Sequence, residues 1–209
     1  MLPKIKICGI TRVEDGLAAA HAGADALGLV FHPPSPRHVT PQQAATIARA
    51  MPPFVVLVGL FVDPTAESVR QTLEQCPLDR IQLHGDESPE FCAAMPRPVI
   101  KAIRVGGPED LQNLDRFPVA ALLLDAKSPG KVGGTGQRFD WNLLAEWSPP
   151  RPLILAGGLS PDNVAEAVAR VRPYAVDVSS GVESAPGLKD PERIARFIRQ
   201  TRDHDAPGA

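Results

Sequence analysis

Apolar, β-branched runs of four to eight residues alternate with stretches of helical period along the whole chain. The runs fall near 4–8 (KIKIC), 25–31 (DALGLVF), 54–61 (FVVLVGLF), 79–83 (DRIQL), 98–103 (PVIKAI), 119–125 (VAALLLD), 152–156 (PLILA) and 174–179 (YAVDVS). Helical patterns fill the gaps near 12–22, 41–50, 64–75, 89–95, 108–114, 140–147, 161–170 and 191–201. Near-continuous apolar strands joined by helical crossovers describe a parallel sheet buried on both faces. Eight such units in 209 residues predict an α/β chain folded as one single-domain (β/α)8 (TIM) barrel, at the small end of its size range. An open doubly wound sheet is the alternative. No linker divides the chain, so the barrel is assigned to 1–202, and 203–209 (DHDAPGA), which has no pattern, to a frayed tail.

Helix starts are marked in two ways. Thr11-x-x-Glu14 and Thr40-x-x-Gln43 fit capping boxes. Pro41, Pro64, Pro89, Pro108, Pro161 and Pro191 each follow a Thr, Asp, Ser or Gly and are placed in first helical turns, where a missing N–H is harmless. The 23 prolines, roughly twice the average share, therefore punctuate an ordered fold and do not signal disorder.

Charge and cysteine usage narrow the function. With 22 basic and 24 acidic residues, a net of −2 and no basic tract, neither nucleic acid nor a membrane surface is expected as partner. No apolar stretch approaches membrane-spanning length and the N-terminus lacks a secretory pattern, so the expected location is cytoplasmic. Three cysteines (Cys8, Cys76, Cys92) without metal-ligand spacing argue against a disulfide framework and a zinc site.

In this barrel, chemistry belongs to the carboxyl ends of the strands. Those ends carry Cys8, then Arg37 in HPPSPRHV, Asp63, His84 in QLHGDE, Asp125 in LLLDAK, Gly157-Gly158 in LAGGLS, and Ser179-Ser180-Gly181 in DVSSGVE. Asp63 reads as a cap of the following helix. Asp125 ends an apolar run, and a carboxyl in such a place favours its protonated form, which suits a general acid. Glycine-rich turns after strands 7 and 8 are the usual phosphate cradle of the barrel. GKVGGTG, 130–136, reads as a cover loop over the site and lacks the Lys-Ser/Thr of a nucleotide loop.

The stretches KICGITR, LVFHPPSPRHV, VGLFV, QLHGDE, IKAIRV, LLLDA…GGTGQRFDW, LILAGGLSPDNV and VDVSSGVE…PGLKD, in this order, resemble the phosphoribosylanthranilate isomerases of tryptophan biosynthesis. The resemblance runs from residue 4 to about 198. It implies conversion of N-(5-phosphoribosyl)anthranilate to 1-(2-carboxyphenylamino)-1-deoxyribulose 5-phosphate by an Amadori rearrangement, with no metal or organic cofactor. It also implies Cys8 as general base, Asp125 as general acid, Arg37 at the anthranilate, and Gly157, Gly158, Ser180 and Gly181 at the phosphate. His84 and Asp177 match family positions of less defined role. His32 departs from the resemblance, since an aromatic is commoner there, and is expected to tune substrate fit. Gly9 is expected to leave room for substrate beside Cys8, whose free pKa near 8.5 needs only modest perturbation to work near neutral pH. The partner is thus a phosphorylated small molecule, and monomer and homodimer are both compatible.

Four rivals are set against this reading. Another phosphosugar isomerase or synthase would share the phosphate loops. A bifunctional barrel would need a second cradle, and FVDPT and LHGDE after strands 3 and 4 are acidic instead. A non-catalytic phosphate binder should have lost Cys8 or Asp125. A redox thiol protein would need a resolving cysteine that Cys8 lacks nearby in sequence.

Overall fold

The computed structural model describes residues 2–127, 140–145 and 147–203; the cover-loop reading of 130–136 and the tail 204–209 lie outside the described residues. Parallel strands close into a barrel in chain order, β1 pairing with β2 on one side and β8 on the other. They are β1 (Lys4–Cys8), β2 (Ala26–Val30), β3 (Val56–Phe61), β4 (Arg80–Leu83), β5 (Val99–Val105), β6 (Ala121–Ala126), β7 (Leu153–Leu155) and β8 (Ala175–Val178). Each lies within or beside the run predicted for it. The closed barrel, not the open sheet, is the fold.

Alternation along each strand splits the core in two. Ile5 and Ile7 of β1 face outward into the layer shared with the helices, while Val58, Ile100, Leu123 and Ile154 fill the barrel interior. Nearer the carboxyl ends, Cys8, Val30 and Leu60 pack together as the floor of the barrel mouth. Among the described residues, no helix is long and apolar enough to cross a membrane.

The helices are α1 (Val13–Ala22), α2 (Pro41–Ala50), α3 (Ala66–Gln75), α4 (Pro89–Ala93), α5 (Val164–Val171) and α6 (Pro191–Asp203). The Thr40 capping box forms in full: its hydroxyl accepts from Gln43 N while the Gln43 side chain accepts from Thr40 N. The Thr11 box does not form. Arg12 is the N-cap of α1, and the Thr11 hydroxyl instead donates to Gly187 O at 2.6 Å, tying this loop to a hairpin of β9 (Glu183–Ala185) and β10 (Leu188–Lys189). Pro41, Pro89, Pro108 and Pro191 open their helical segments. Pro64 and Pro161 do not, because Thr65 caps α3 and Asn163 caps α5. The expected helices at 108–114 and 140–147 are short 3-10 turns, Pro108–Leu111 with Leu114–Arg116, and Trp141–Leu144. Asn113, at φ 55°, breaks the first of them.

Candidate active site

The carboxyl ends of the strands surround a pocket of about 680 Å³, its open mouth included. Cys8, His32, Arg37, His84, Asp125, Gly157, Gly158, Asp177 and Ser180 all line it. Residues from six loops or strand ends, up to 172 positions apart in sequence by the span from Cys8 to Ser180, thus converge on one cavity. Gly181 stands just outside it, in a shallower depression that shares Gly158, Leu159 and Ser180 with the main pocket. Asp63 belongs elsewhere: its carboxylate accepts from Asp86 N at 2.7 Å and caps the loop after β4, not a helix.

Cys8 ends β1 with its side chain on the inner face, 5% exposed. Burial pushes the thiol above its usual range, and Asp177 adds to that; Lys6 and Lys189 pull it back without cancelling it. The expected modest perturbation is therefore replaced by an upward one. Two strand positions below the mouth, Lys6 Nζ donates to Asp177 Oδ1 at 2.8 Å. Burial disfavours the Lys6 charge, but attraction to Asp177 and Cys8 outweighs it and holds the ammonium above its usual range.

Across the mouth, Asp125 ends the buried part of β6, and its Oδ1 accepts from Ala126 N at 2.9 Å. Its other oxygen lies 3.3 Å from His84 Nε2. That approach is too oblique for a hydrogen bond, so His84 Nε2 is buried without one. Gln82, fully buried on β4, sets its amide nitrogen 3.3 Å from His84 Nδ1. With Nδ1 as acceptor, the ring proton sits on Nε2 and faces Asp125.

Arg37 is not a solvated surface charge. Its side chain is 11% exposed, and its Nε and Nη2 donate to the two oxygens of Glu183 at 2.8 and 2.7 Å. Glu183 also accepts from Lys189 Nζ at 2.8 Å, and that ammonium is fully buried. Burial opposes the Glu183 charge, yet the two cations keep its carboxyl below the usual range. Gly9 serves this arginine and not the substrate. At φ 79° it sits in glycine's territory, and a Cβ there would meet Arg37 Cδ at 2.5 Å. The expectation of substrate room at Gly9 is corrected accordingly.

The rim after β7 and β8 is backbone. Gly157 and Gly158 lie at φ 80° and 67°, and Ser180–Val182 forms a 3-10 turn whose leading N–H groups have no carbonyl of their own turn to meet. A Cβ on Gly181 would run into the carbonyl of Leu159, which holds the two loops close. The equivalent loops after β3 and β4 are filled from within. Glu87 accepts from Asp63 N and Gly85 N at 3.0 Å, and Lys101 Nζ binds it at 2.8 Å. A carboxylate of the chain occupies those donors, which removes the second cradle that a bifunctional barrel would need.

Sequence reasoning passed over Lys6, Gln82, Glu183 and Lys189. The first two stand at inward positions of strands, two residues before Cys8 and His84, and that spacing was the available signal. Glu183 and Lys189 are not recoverable locally, since a hairpin brings them back to Arg37.

The sequence pattern of the family described as PRAI, N-(5'phosphoribosyl)anthranilate (PRA) isomerase, matches residues 5–200. The chain is similar to the N-(5'-phosphoribosyl)anthranilate isomerase of Magnetococcus marinus, 59% identical over 202 residues, covering 97% of this chain and 96% of that one. Its fold is similar to the crystal structure of phosphoribosyl anthranilate isomerase from Thermotoga maritima, with a TM-score of 0.90 and 41% identity over 96% of this chain and 98% of the other. It is similar as well to a phosphoribosyl anthranilate isomerase crystallised with reduced 1-(o-carboxyphenylamino)-1-deoxyribulose 5-phosphate, with a TM-score of 0.87 and 40% identity over the same shares. A barrel with this mouth, matched over nearly its whole length by sequence and by structure, belongs to the N-(5'-phosphoribosyl)anthranilate isomerase family.

Proposed function

We propose that the chain converts N-(5'-phosphoribosyl)anthranilate to 1-(2-carboxyphenylamino)-1-deoxyribulose 5-phosphate, with Asp125 as general acid and Cys8 as general base. The carrying observation is that a buried thiol and a buried carboxyl line one pocket whose rim is the glycine turns after β7 and β8. Asp125 gives a proton to the ribose ring oxygen, the C1–O bond opens, and the anilino nitrogen takes up the positive charge as a Schiff base. That charge acidifies the C2 hydrogen, which the Cys8 thiolate removes. The enolamine then becomes the ketone as C1 gains a proton and the C2 hydroxyl loses one, which offsets the proton that Asp125 gave to the ring oxygen, so hydrogen moves from C2 to C1 with no net proton gained or lost. His84 stands beside Asp125, and His32 on the pocket wall adjusts the fit of the substrate. Loss of substrate fluorescence when the protein meets freshly made phosphoribosylanthranilate tests this reading; a rate equal to the buffer blank would refute it.

The phosphate is assigned to the backbone of Gly158, Ser180 and Gly181, where N–H groups face an anion without side chains intervening. Gly158→Val should strain a backbone held at φ 67° and weaken substrate binding, and inorganic phosphate should no longer compete. Circular dichroism should show the fold retained. Unchanged phosphate competition would move the cradle elsewhere.

The anthranilate carboxylate is assigned to Arg37. Glu183 holds the Nε–Nη2 edge of the guanidinium, which leaves the Nη1–Nη2 edge for a second, bidentate carboxylate. A charge-assisted bond of this kind contributes roughly 1.5–3 kcal/mol, so Arg37→Ala should lose at least about tenfold in kcat/KM. Arg37→Lys should recover part of it. On a substrate analogue built from aniline, which has no carboxylate, wild type and Arg37→Ala should perform alike. Equal losses on both substrates would mean that Arg37 only holds its loop.

A further inference from the structure

Lys6 is a buried charge for which the acid–base pair has no task. It stands two residues before Cys8 on β1, so both side chains enter the barrel on the same face, and it is 3% exposed. Its partner Asp177 is also its register neighbour across the β1–β8 seam. Apolar side chains of similar volume generally stabilise an interior as well as a buried ion pair does, and the surrounding interior is Val58, Ile100, Leu123 and Ile154. Stability alone therefore gives no reason for this pair.

Gly28 supplies the second observation. It is the register neighbour of Cys8 on β2, and its φ is not in the positive range that favours glycine. What it provides is space. A Cβ at this position would lie 2.7 Å from Cys8 Sγ and 3.1 Å from Lys6 Nζ, so sulfur and ammonium crowd the same small volume.

We propose that Lys6 is the counter-ion of the Cys8 thiolate, positioned by Asp177 and given access to the sulfur by the missing side chain of Gly28. The proposal rests on Cys8 being the base and makes Lys6 a positioning residue that acts through it. The charged groups facing the sulfur are Lys6 from its own strand, Asp177 from β8, Lys189 from β10 and Arg37 from the loop after β2, with Asp125 on the same pocket wall. When the thiol is protonated, Lys6 and Asp177 form a neutral pair. When Cys8 gives its proton to solvent, the ammonium keeps its three protons and is shared between carboxylate and sulfur. Lys6 and Asp177 therefore act on the thiol with opposite sign.

The test is the rate at which iodoacetamide alkylates Cys8 in the full-length protein across pH, without substrate, read by mass spectrometry of the Cys8 peptide. Only the thiolate displaces iodide, so the pH limb reports its ionisation. Lys6→Met should move the limb to higher pH and slow alkylation at pH 7.5 by about tenfold or more, which is one unit of displacement. Asp177→Asn should move it to lower pH and speed alkylation. Lys6→Arg, which keeps the charge, should stay closer to wild type than Lys6→Met. Should Lys6→Met fail to fold because Asp177 is left unpaired, the double variant Lys6→Met/Asp177→Asn removes both charges, and its limb should still lie above the wild-type one. If Lys6→Met or that double variant left the limb in place, or if Lys6→Met and Asp177→Asn moved it the same way, the counter-ion role would be overturned. Because no substrate is present, failure of the isomerase reading would appear separately, as absent turnover beside intact limb shifts.

Discussion

Cys8→Ala is expected to lower turnover by about 10² to 10⁴, the usual worth of a positioned general base, while leaving phosphate-ligand binding largely intact. The separation follows from position. The sulfur sits on the floor at the end of β1, packed with Val30 and Leu60, whereas the proposed cradle is backbone from the loops after β7 and β8. Removing Sγ takes away the proposed proton acceptor without touching those N–H groups. Cys76 and Cys92 are buried outside the pocket, and burial pushes the Cys76 thiol up to about 11. Their alanine variants should turn over near the wild-type rate. The pH dependence has a defined sign. Burial raises the Cys8 thiol above its ordinary value, so the thiolate is a minority species at neutral pH and its fraction grows with alkalinity. With the carboxyl out of the profile, as in Asp125→Asn, the residual kcat/KM should therefore rise with pH beyond neutrality. Retention of more than a tenth of the activity in Cys8→Ala would remove Cys8 from the role of base.

What could be read in advance divides along the range of each signal. The strands were legible because an apolar run in a two-sided parallel sheet is a continuous local pattern, and all eight appear where the runs stand. The Thr40 box was legible because both its partners lie within three residues. Thr11 carries the same motif, yet its hydroxyl has a distant competitor, Gly187 O, which no local rule contains. Asp63 repeats the lesson: it caps a backbone N–H at Asp86, 23 residues away, and leaves the helix start to Thr65. At the site, Cys8, Arg37, His84 and Asp125 were recognisable at strand ends and the loops after them, Asp177 only through the family resemblance, and all of them line one pocket. The residues that hold them were not. Lys6 was hidden inside KIKIC because a strand scored for apolar content does not ask which face a lysine takes, and Gly28 carries no motif at all. Gly9 was credited with the wrong neighbour, since the loop that brings Arg37 over it begins more than twenty residues later.

Asp125→Asn is expected to cost as much as the loss of the base, about 10² to 10⁴ in turnover, because ring opening needs a proton delivered to the ribose oxygen. The substitution keeps the shape of the side chain but not its hydrogen-bonding sense. In the wild type one oxygen accepts from Ala126 N, and the other faces His84 Nε2 at 3.3 Å. Asparagine has one acceptor, so turning its amide NH₂ toward Ala126 sets donor against the Ala126 N–H, and turning it toward His84 removes the oxygen that faces the ring. Neither orientation supplies an acidic proton. The proposed mechanism needs the carboxyl protonated and the thiol ionised. That form carries the same number of protons as carboxylate with thiol, so a bell-shaped profile alone cannot say which group owns which limb. The variant can. Asp125→Asn should abolish one limb and leave the Cys8 limb standing at a much reduced height. A variant that stayed active with both limbs in place would take Asp125 out of the chemistry, and the proton donor would then have to be sought at His84, the nearest group able to carry one.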